Sequence, residues 1–306
     1  MIGGGGFDTT RMIAQQILNG LVVGAVYALF GLGFTLVYGV QKILNLAHGG
    51  IFMWGALIGF FVVTRLGLPL WSALILGMAG AGLLSMLLEL VAFRHLRRRK
   101  GDDLSTLVSS LGANLILVNM AQQVTNSQIE SFPFGIFPIR IWRVAGLMIS
   151  LQTIVILACV ALLVAMLLLY LFRTHFGAEV RAVAVSERTS LLLGIAPQAV
   201  FLQTFFIAGA MAGAAGVILG VAFNSVSYDM GEPMMLRAFV IIVLGGFGSV
   251  IGAVVAGLLL GVVQALSVAL FSSALSDAIM FGVLILLLLA MPTGLFRGFD
   301  TEARRA

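Results

Sequence analysis

The feature that most constrains this chain is a succession of apolar stretches, each long enough to cross or nearly cross a lipid bilayer, running from Met12 to Met291. A helix rises about 1.5 Å per residue, so roughly 20 apolar residues cover a hydrocarbon core of about 30 Å. Spans are expected near residues 12–40, 48–65, 70–93, 104–123, 148–172, 198–222, 235–249, 250–271 and 277–291. The first is overlong and the seventh and last are short, so interrupted or re-entrant helices put the count between eight and ten. Only 9% of residues are charged and the mean hydropathy is +1.14, against roughly 25% charged in soluble domains. The expected fold is therefore an all-α polytopic membrane protein with about 8–10 transmembrane helices, some discontinuous.

Residues 1–11, with glycines 3 to 6, read as a flexible tail, 12–296 as one membrane domain, and 297–306 as a polar tail. The start lacks the basic end and short apolar core of a cleavable signal, so the first span is expected to be retained. The lone Cys159 lies in an apolar run and indicates nothing about redox compartment. A net charge of +5 does not point to nucleic acid, because the basic residues sit in short clusters between spans. Those clusters set orientation instead, since Lys and Arg in short loops stay cytoplasmic. Arg94, Arg97, Arg98, Arg99 and Lys100, then Arg173, Arg181 and Arg188, then Arg297, Arg304 and Arg305 fall on one side if two spans and then four separate them. The carboxyl terminus is then cytoplasmic and the loop 125–147 faces outward. Nine crossings put the amino terminus outside, and an even count puts it inside.

Glycine is abundant, 37 residues, and stripes such as Gly209, Gly213, Gly216 and Gly220 suit close helix packing in lipid. Gly245, Gly246 and Gly248 before Ser249 read as a turn or a broken helix. Glycine-rich segments near 31–59 and 209–261 are weakly alike and permit inverted repeats. No Asp, Glu, Lys or Arg falls clearly at mid-span: Glu89 lies about one turn from a basic cluster, and Arg237 and Asp277 lie near span ends. That argues against a proton relay. His48, His95 and His175 form no nucleophile, base and orienter set with the few carboxylates, and no metal-ligand spacing exists. No GxxxxGK[ST] phosphate loop is present, so ATP chemistry must reside in another subunit. No cofactor is expected.

Two segments stand out from the apolar background. In Tyr38 to Ala56, the residues Asn45, His48, Gly49 and Gly50 interrupt long apolar flanks. They make either a short polar turn or a discontinuous helix whose polar groups face a translocation path. Asn114, in the fourth span, either joins that path or links helices. The second segment, residues 174–197, is too polar to span. Ala182 to Leu193 is expected to form a short amphipathic helix with Glu187 and Arg188 exposed and Gly194 as its cap before Pro197. It lies either in the membrane interface, against lipid, or docks a soluble partner.

Four motifs in order carry a family resemblance: Asn45-Leu-Ala-His48-Gly49-Gly50; Arg181-Ala-Val-Ala leading to Leu-Leu-Gly194-Ile195; Leu244-Gly-Gly-Phe-Gly248-Ser249 with Gly252; and Met291-Pro-Thr-Gly294. Together they resemble the first permease subunit of high-affinity branched-chain amino-acid ABC importers, over roughly residues 14 to 296. The resemblance implies a bacterial inner-membrane importer with a second, homologous permease subunit, two ABC ATPase subunits and a periplasmic substrate-binding protein. It implies that 174–197 is the loop that couples to the ATPases, with Gly177, Glu179, Arg181, Glu187, Arg188, Gly194 and Ile195 as candidate coupling residues. The usual pattern there is Glu-Ala-Ala, three residues, Gly; here Arg188, Thr189 and Ser190 occupy the first three places, Glu187 is one earlier, and Gly194 is retained. Related permeases resemble carriers of urea, short amides and other amino acids. An autonomous channel or secondary transporter is the alternative of another class, and a membrane enzyme a third.

Overall fold

The structure, a computed structural model, describes residues 5–98, 103–133, 140–144, 146–291 and 294–296. Helix α1 is Gly5–Gln41 and α2 His48–Thr64; α3, Leu70–Leu88, runs through a widened turn, Glu89–Phe93, into α4, Arg94–Arg98. Then come α5 (Asp103–Val124), strands β1 (Ile141–Val144) and β2 (Leu147–Ser150), α6 (Leu151–Arg173), α7 (His175–Val185) and α8 (Glu187–Leu192). The chain ends in α9 (Pro197–Phe223), α10 (Gly231–Gly245), α11 (Val250–Leu270) and α12 (Ser273–Ala290). Among the described residues six helical stretches are long and apolar enough to cross a membrane, while α2 and α12 are shorter apolar helices and α10 has 15 residues. The fold is all-α and polytopic.

Several expected boundaries move, each for a physical reason. Helix α1 begins at Gly5, so part of the expected tail is helical: extending an existing helix returns one hydrogen bond per residue ordered. The seventh span is Gly231–Gly245 rather than 235–249. Gly246 and Gly248, at φ +97° and +77°, leave the helical region, and Ser249 restarts the chain as the cap of α11 by accepting from Gly252 N at 3.1 Å. The fifth span loses its first residues to β2, which pairs antiparallel with β1 before Ser150 caps α6. Arg99, Lys100, Pro138, Pro292, Thr293 and residues 297–306 with their arginines lie outside the described residues.

Helix α1 is the axis of the bundle, buried along Ala25 to Val37. Helix α11 runs antiparallel to it, with Leu258 against Gly24 and Val262 against Gly20. A Cβ on Gly20 would stand 2.7 Å from the Val262 backbone, so close packing and not side-chain interdigitation joins the pair. Helices α2, α3 and α9 meet in the same manner around Gly55, Gly77 and Gly213. At one end of the bundle, Arg97 reaches Gln41 and the buried Glu89, and Arg94 reaches Gln198 at the start of α9. At the other end Gln15 of α1 pairs with Met148 of β2, and Glu130 with Val226.

Candidate functional site

Helix α2 does not start where α1 stops. Lys42, at φ 58°, ends α1, and residues 43–47 double back along it. His48 comes to rest against Phe30 and Phe34, with ring centroids 4.8 and 5.8 Å away. Phe30 is 11 residues before Gln41, or about 16 Å from the end of α1. Helix α10 also begins part-way along α1: Arg237 lies over Tyr27 and Ile241 against Gly31. Matching steps of four residues make α10 parallel to α1, whereas His48 on both Phe30 and Phe34, with Phe52 one turn on against Phe30, makes α2 antiparallel. Two shortened helices of opposite direction thus begin inside the bundle, each part-way along α1.

Their amino-terminal ends touch at Gly49 and Gly231. A Cβ on Gly49 would stand 2.6 Å from the Gly231 carbonyl oxygen, and one on Gly231 would meet the Gly49 carbonyl. Two helix amino termini, each equivalent to roughly half a positive charge, therefore converge beside a cavity of 470 Å³. Gly49, Gly50, Asn114, Gly231, Glu232 and Phe239 are among the residues that line it. Asn114 of α5 accepts from Gly50 N at 3.0 Å, satisfying one of the free first-turn donors of α2. Trp54 binds α5 again, donating to the Leu117 carbonyl at 2.9 Å.

Of the five residues expected on the path, Gly49, Gly50 and Asn114 line the cavity, and Asn45 and His48 do not. Both are fully buried. Asn45 accepts from Ala47 N at 3.1 Å, and His48 Nε2 lies 3.4 Å from the Phe30 carbonyl, so the two brace the doubled-back segment from behind. Apolar periodicity could not place them, because α2 is buried on nearly every face of its first half. The sequence reading missed Asp229, Gly231 and Glu232. A signal was present: an acidic residue followed by proline, Glu232-Pro233, ahead of an apolar run marks a helix start.

At the end of the bundle that holds Arg94 and Arg97, the single helix expected over 182–193 is two. Ser186 is extended, at φ −159°, and caps α8 by accepting from Thr189 N at 3.2 Å. Thr174 caps α7 likewise through Gly177 N at 3.0 Å. Gly177 fills the elbow, where a Cβ would run into the Tyr170 and Leu171 carbonyls. Gly194, at φ +82°, closes α8, with its N–H on the Leu191 carbonyl and that of Ile195 on Ser190. Glu187 and Arg188 are exposed, Glu179 is half-buried, Arg181 lies over the Phe172 ring, and Ile195 packs on the core. Leu192 and Leu193 are 84% and 72% exposed, beside exposed Leu191.

The description of the branched-chain amino acid transport system permease component matches residues 16–288 of the chain. The chain belongs to that family. It is 35% identical to the high-affinity branched-chain amino acid transport system permease protein BraD of Pseudomonas aeruginosa, over 94% of this chain and 97% of that one. It is 27% identical to the LivM permease protein of Salmonella typhimurium, covering 93% of this chain and 71% of LivM. Among solved structures, PsaBC of Streptococcus pneumoniae in complex with Fab aligns with a TM-score of 0.47 at 14% identity, over 90% of each chain. Family membership makes this a polytopic transport subunit of an ABC importer, one of the components that form the membrane pathway.

Proposed function

We propose that the chain forms half of the transmembrane pathway of an importer of branched-chain amino acids, beside a second, homologous permease subunit. Two ABC ATPase subunits and a periplasmic substrate-binding protein complete the assembly. The observation that carries this reading is the meeting of two shortened helices at Gly49 and Gly231 beside the 470 Å³ cavity. Non-helical backbone at membrane depth is tolerated where it lines a cavity, and shortened helices are how many transporters build a path there. Likeness to both BraD and LivM supports pairing with a homologue.

On this reading the end with Arg94, Arg97, α7 and α8 is cytoplasmic, by the retention of basic residues there, and so is the carboxyl terminus. Leu191, Leu192 and Leu193 offer an uncovered apolar surface for the ATPases, while the capped ends of α7 and α8 transmit movement to α6 and α9. The chain's own part is binding and shape. The closing experiment is reconstitution of the whole complex in vesicles with labelled leucine, urea and glutamate. ATP-dependent leucine uptake that requires the ATPase pair is expected. Uptake without ATP would sink the importer reading, and preference for urea would sink the cargo.

A further inference from the structure

Arg237 stands two turns into α10, level with Tyr27, about 21 Å from the Gln41 end of α1. A guanidinium at such depth marks a functional site when its partners are too few. Here they are few: its Cζ lies 5.0 Å from the Tyr27 ring centroid, Nη1 is 3.8 Å from Met234 Sδ, and Nη2 is 3.8 Å from Asp277 Oδ1. Only the weak sulfur acceptor of Met234 takes one of its donors and Asp277 stands beyond hydrogen-bond distance, so among the described residues most of the five-donor fork has no nitrogen or oxygen acceptor. Tyr27 offers the guanidinium its ring face, and its hydroxyl donates to Gln264 Oε1 at 2.5 Å.

The guanidinium borders a second cavity, of 410 Å³, on the other flank of α10. Asp229, Glu232 and Leu236 line both cavities, so the second continues the proposed path around the start of α10. Its wall brings together one guanidinium, the carboxylates of Asp229, Glu232 and Asp277, and the apolar Leu236 and Phe281. That is the complement of a zwitterion with an aliphatic side chain.

We propose that this cavity is a cargo site in which Arg237 takes the α-carboxylate of an amino acid, the surrounding carboxylates take its ammonium group, and Leu236 and Phe281 face its side chain. The inference rests on the amino-acid importer reading and deepens it. A planar fork matches a carboxylate bidentately and matches neither urea nor a neutral amide.

The test uses the whole complex in nanodiscs, with Cys159→Ser and Leu236→Cys, and follows by mass spectrometry of this chain the alkylation of its single thiol by a small charged maleimide, without the binding protein. Leucine and 4-methylpentanoate should slow alkylation by about tenfold, and 3-methylbutylamine and urea should not. Arg237→Gln should remove the protection and Arg237→Lys keep part of it. Protection that survives Arg237→Gln, or equal protection by 3-methylbutylamine, overturns the proposal. So does a thiol that never reacts, because the cavity would then be closed to water. If Arg237→Gln fails to assemble, the series of four ligands on the Arg237 complex still decides. Leucine uptake by the unsubstituted complex is measured in parallel: its absence defeats the amino-acid reading itself, whereas uptake without carboxylate-dependent protection defeats this site alone.

Discussion

The chain breaks its helices in two places of opposite character, the Gly49–Gly231 junction inside the bundle and the α7–α8 corner at its end. At the junction the break is held by shape: backbone lies on backbone, and the polar side chains behind it, Asn45 and His48, are buried. At the corner it is held by local hydrogen bonds that Thr174 and Ser186 accept and Gly194 donates, and the leucines beyond stay uncovered. A break held by shape fixes a path and tolerates no added atom. A break held by caps is cheap to form and leaves its surface free for a partner. Substitutions at the first should therefore register in stability, and at the second in assembly.

The largest effect is expected from Gly49→Val or Gly231→Val. Each puts a branched side chain where even a Cβ would overlap the facing carbonyl, and overpacking of this kind costs roughly 3 kcal/mol where backbone cannot yield. Heating of the purified complex should show a lower melting temperature for either variant, and membranes should hold less of it. A melting temperature equal to that of the unsubstituted complex would mean that the junction is open and not held by shape.

His48→Ala comes next. The ring fills space against Phe30 and Phe34, so its removal leaves a void and should cost roughly 2 kcal/mol. Transport and stability should fall together, unlike the pure transport defect expected of a side chain that lines the path. Asn114→Ala supplies the contrast, since Asn114 does line the cavity and holds one donor of α2. It should cost only about 1 kcal/mol while changing uptake more than its stability loss explains. Matched losses in the two variants would erase the distinction between wall and lining.

These cases show what the sequence could reveal. The break after Gln41 was readable because Asn45, His48 and two glycines interrupt an apolar run. Which of them faces the cavity was not, because a helix buried on most sides carries no amphipathic stripe. The bounds of α10 slipped for another reason: hydropathy continues from Met234 through Gly246 into the next helix, so an apolar window slides past the true ends and past the start that Glu232-Pro233 marks. Backbone φ at Gly246 and Gly248 places the end of α10 at the turn these glycines signal. At the corner, the cap at Gly194 was legible from glycine ahead of proline. The division at Ser186 was missed although serine with Thr189 three residues on is a cap signal, because the apolar spacing runs across it.

At the corner, Gly194→Val forces a β-branched residue to φ +82° and should cost about 1 kcal/mol locally. A Cβ there would meet nothing within 4 Å beyond its chain neighbours, so the strain is conformational and not steric with packed elements. The permease should remain in the membrane and retain less ATPase after purification. Full retention would remove the corner from the coupling path.

The smallest effect belongs to charge reversal on the same surface. Glu187 and Arg188 are exposed, and no ion pair among the described residues uses either. Reversing Glu187 to lysine also places a cation in the first turn of α8, against the helix dipole, a penalty well under about 1 kcal/mol at an exposed site. Stability should hardly move. If Leu191, Leu192 and Leu193 supply the buried centre of the ATPase contact, then Glu187 and Arg188 belong to its rim, and rim charges act on association rate through a field that salt screens within about 10 Å. The expected result is slower ATPase association for Glu187→Lys at low salt, converging on the unsubstituted rate at high salt, with Leu192→Ser impaired at both. A Glu187→Lys defect that persists unchanged at high salt would place Glu187 in the centre of the contact and shift the docking surface from the leucines to the start of α8.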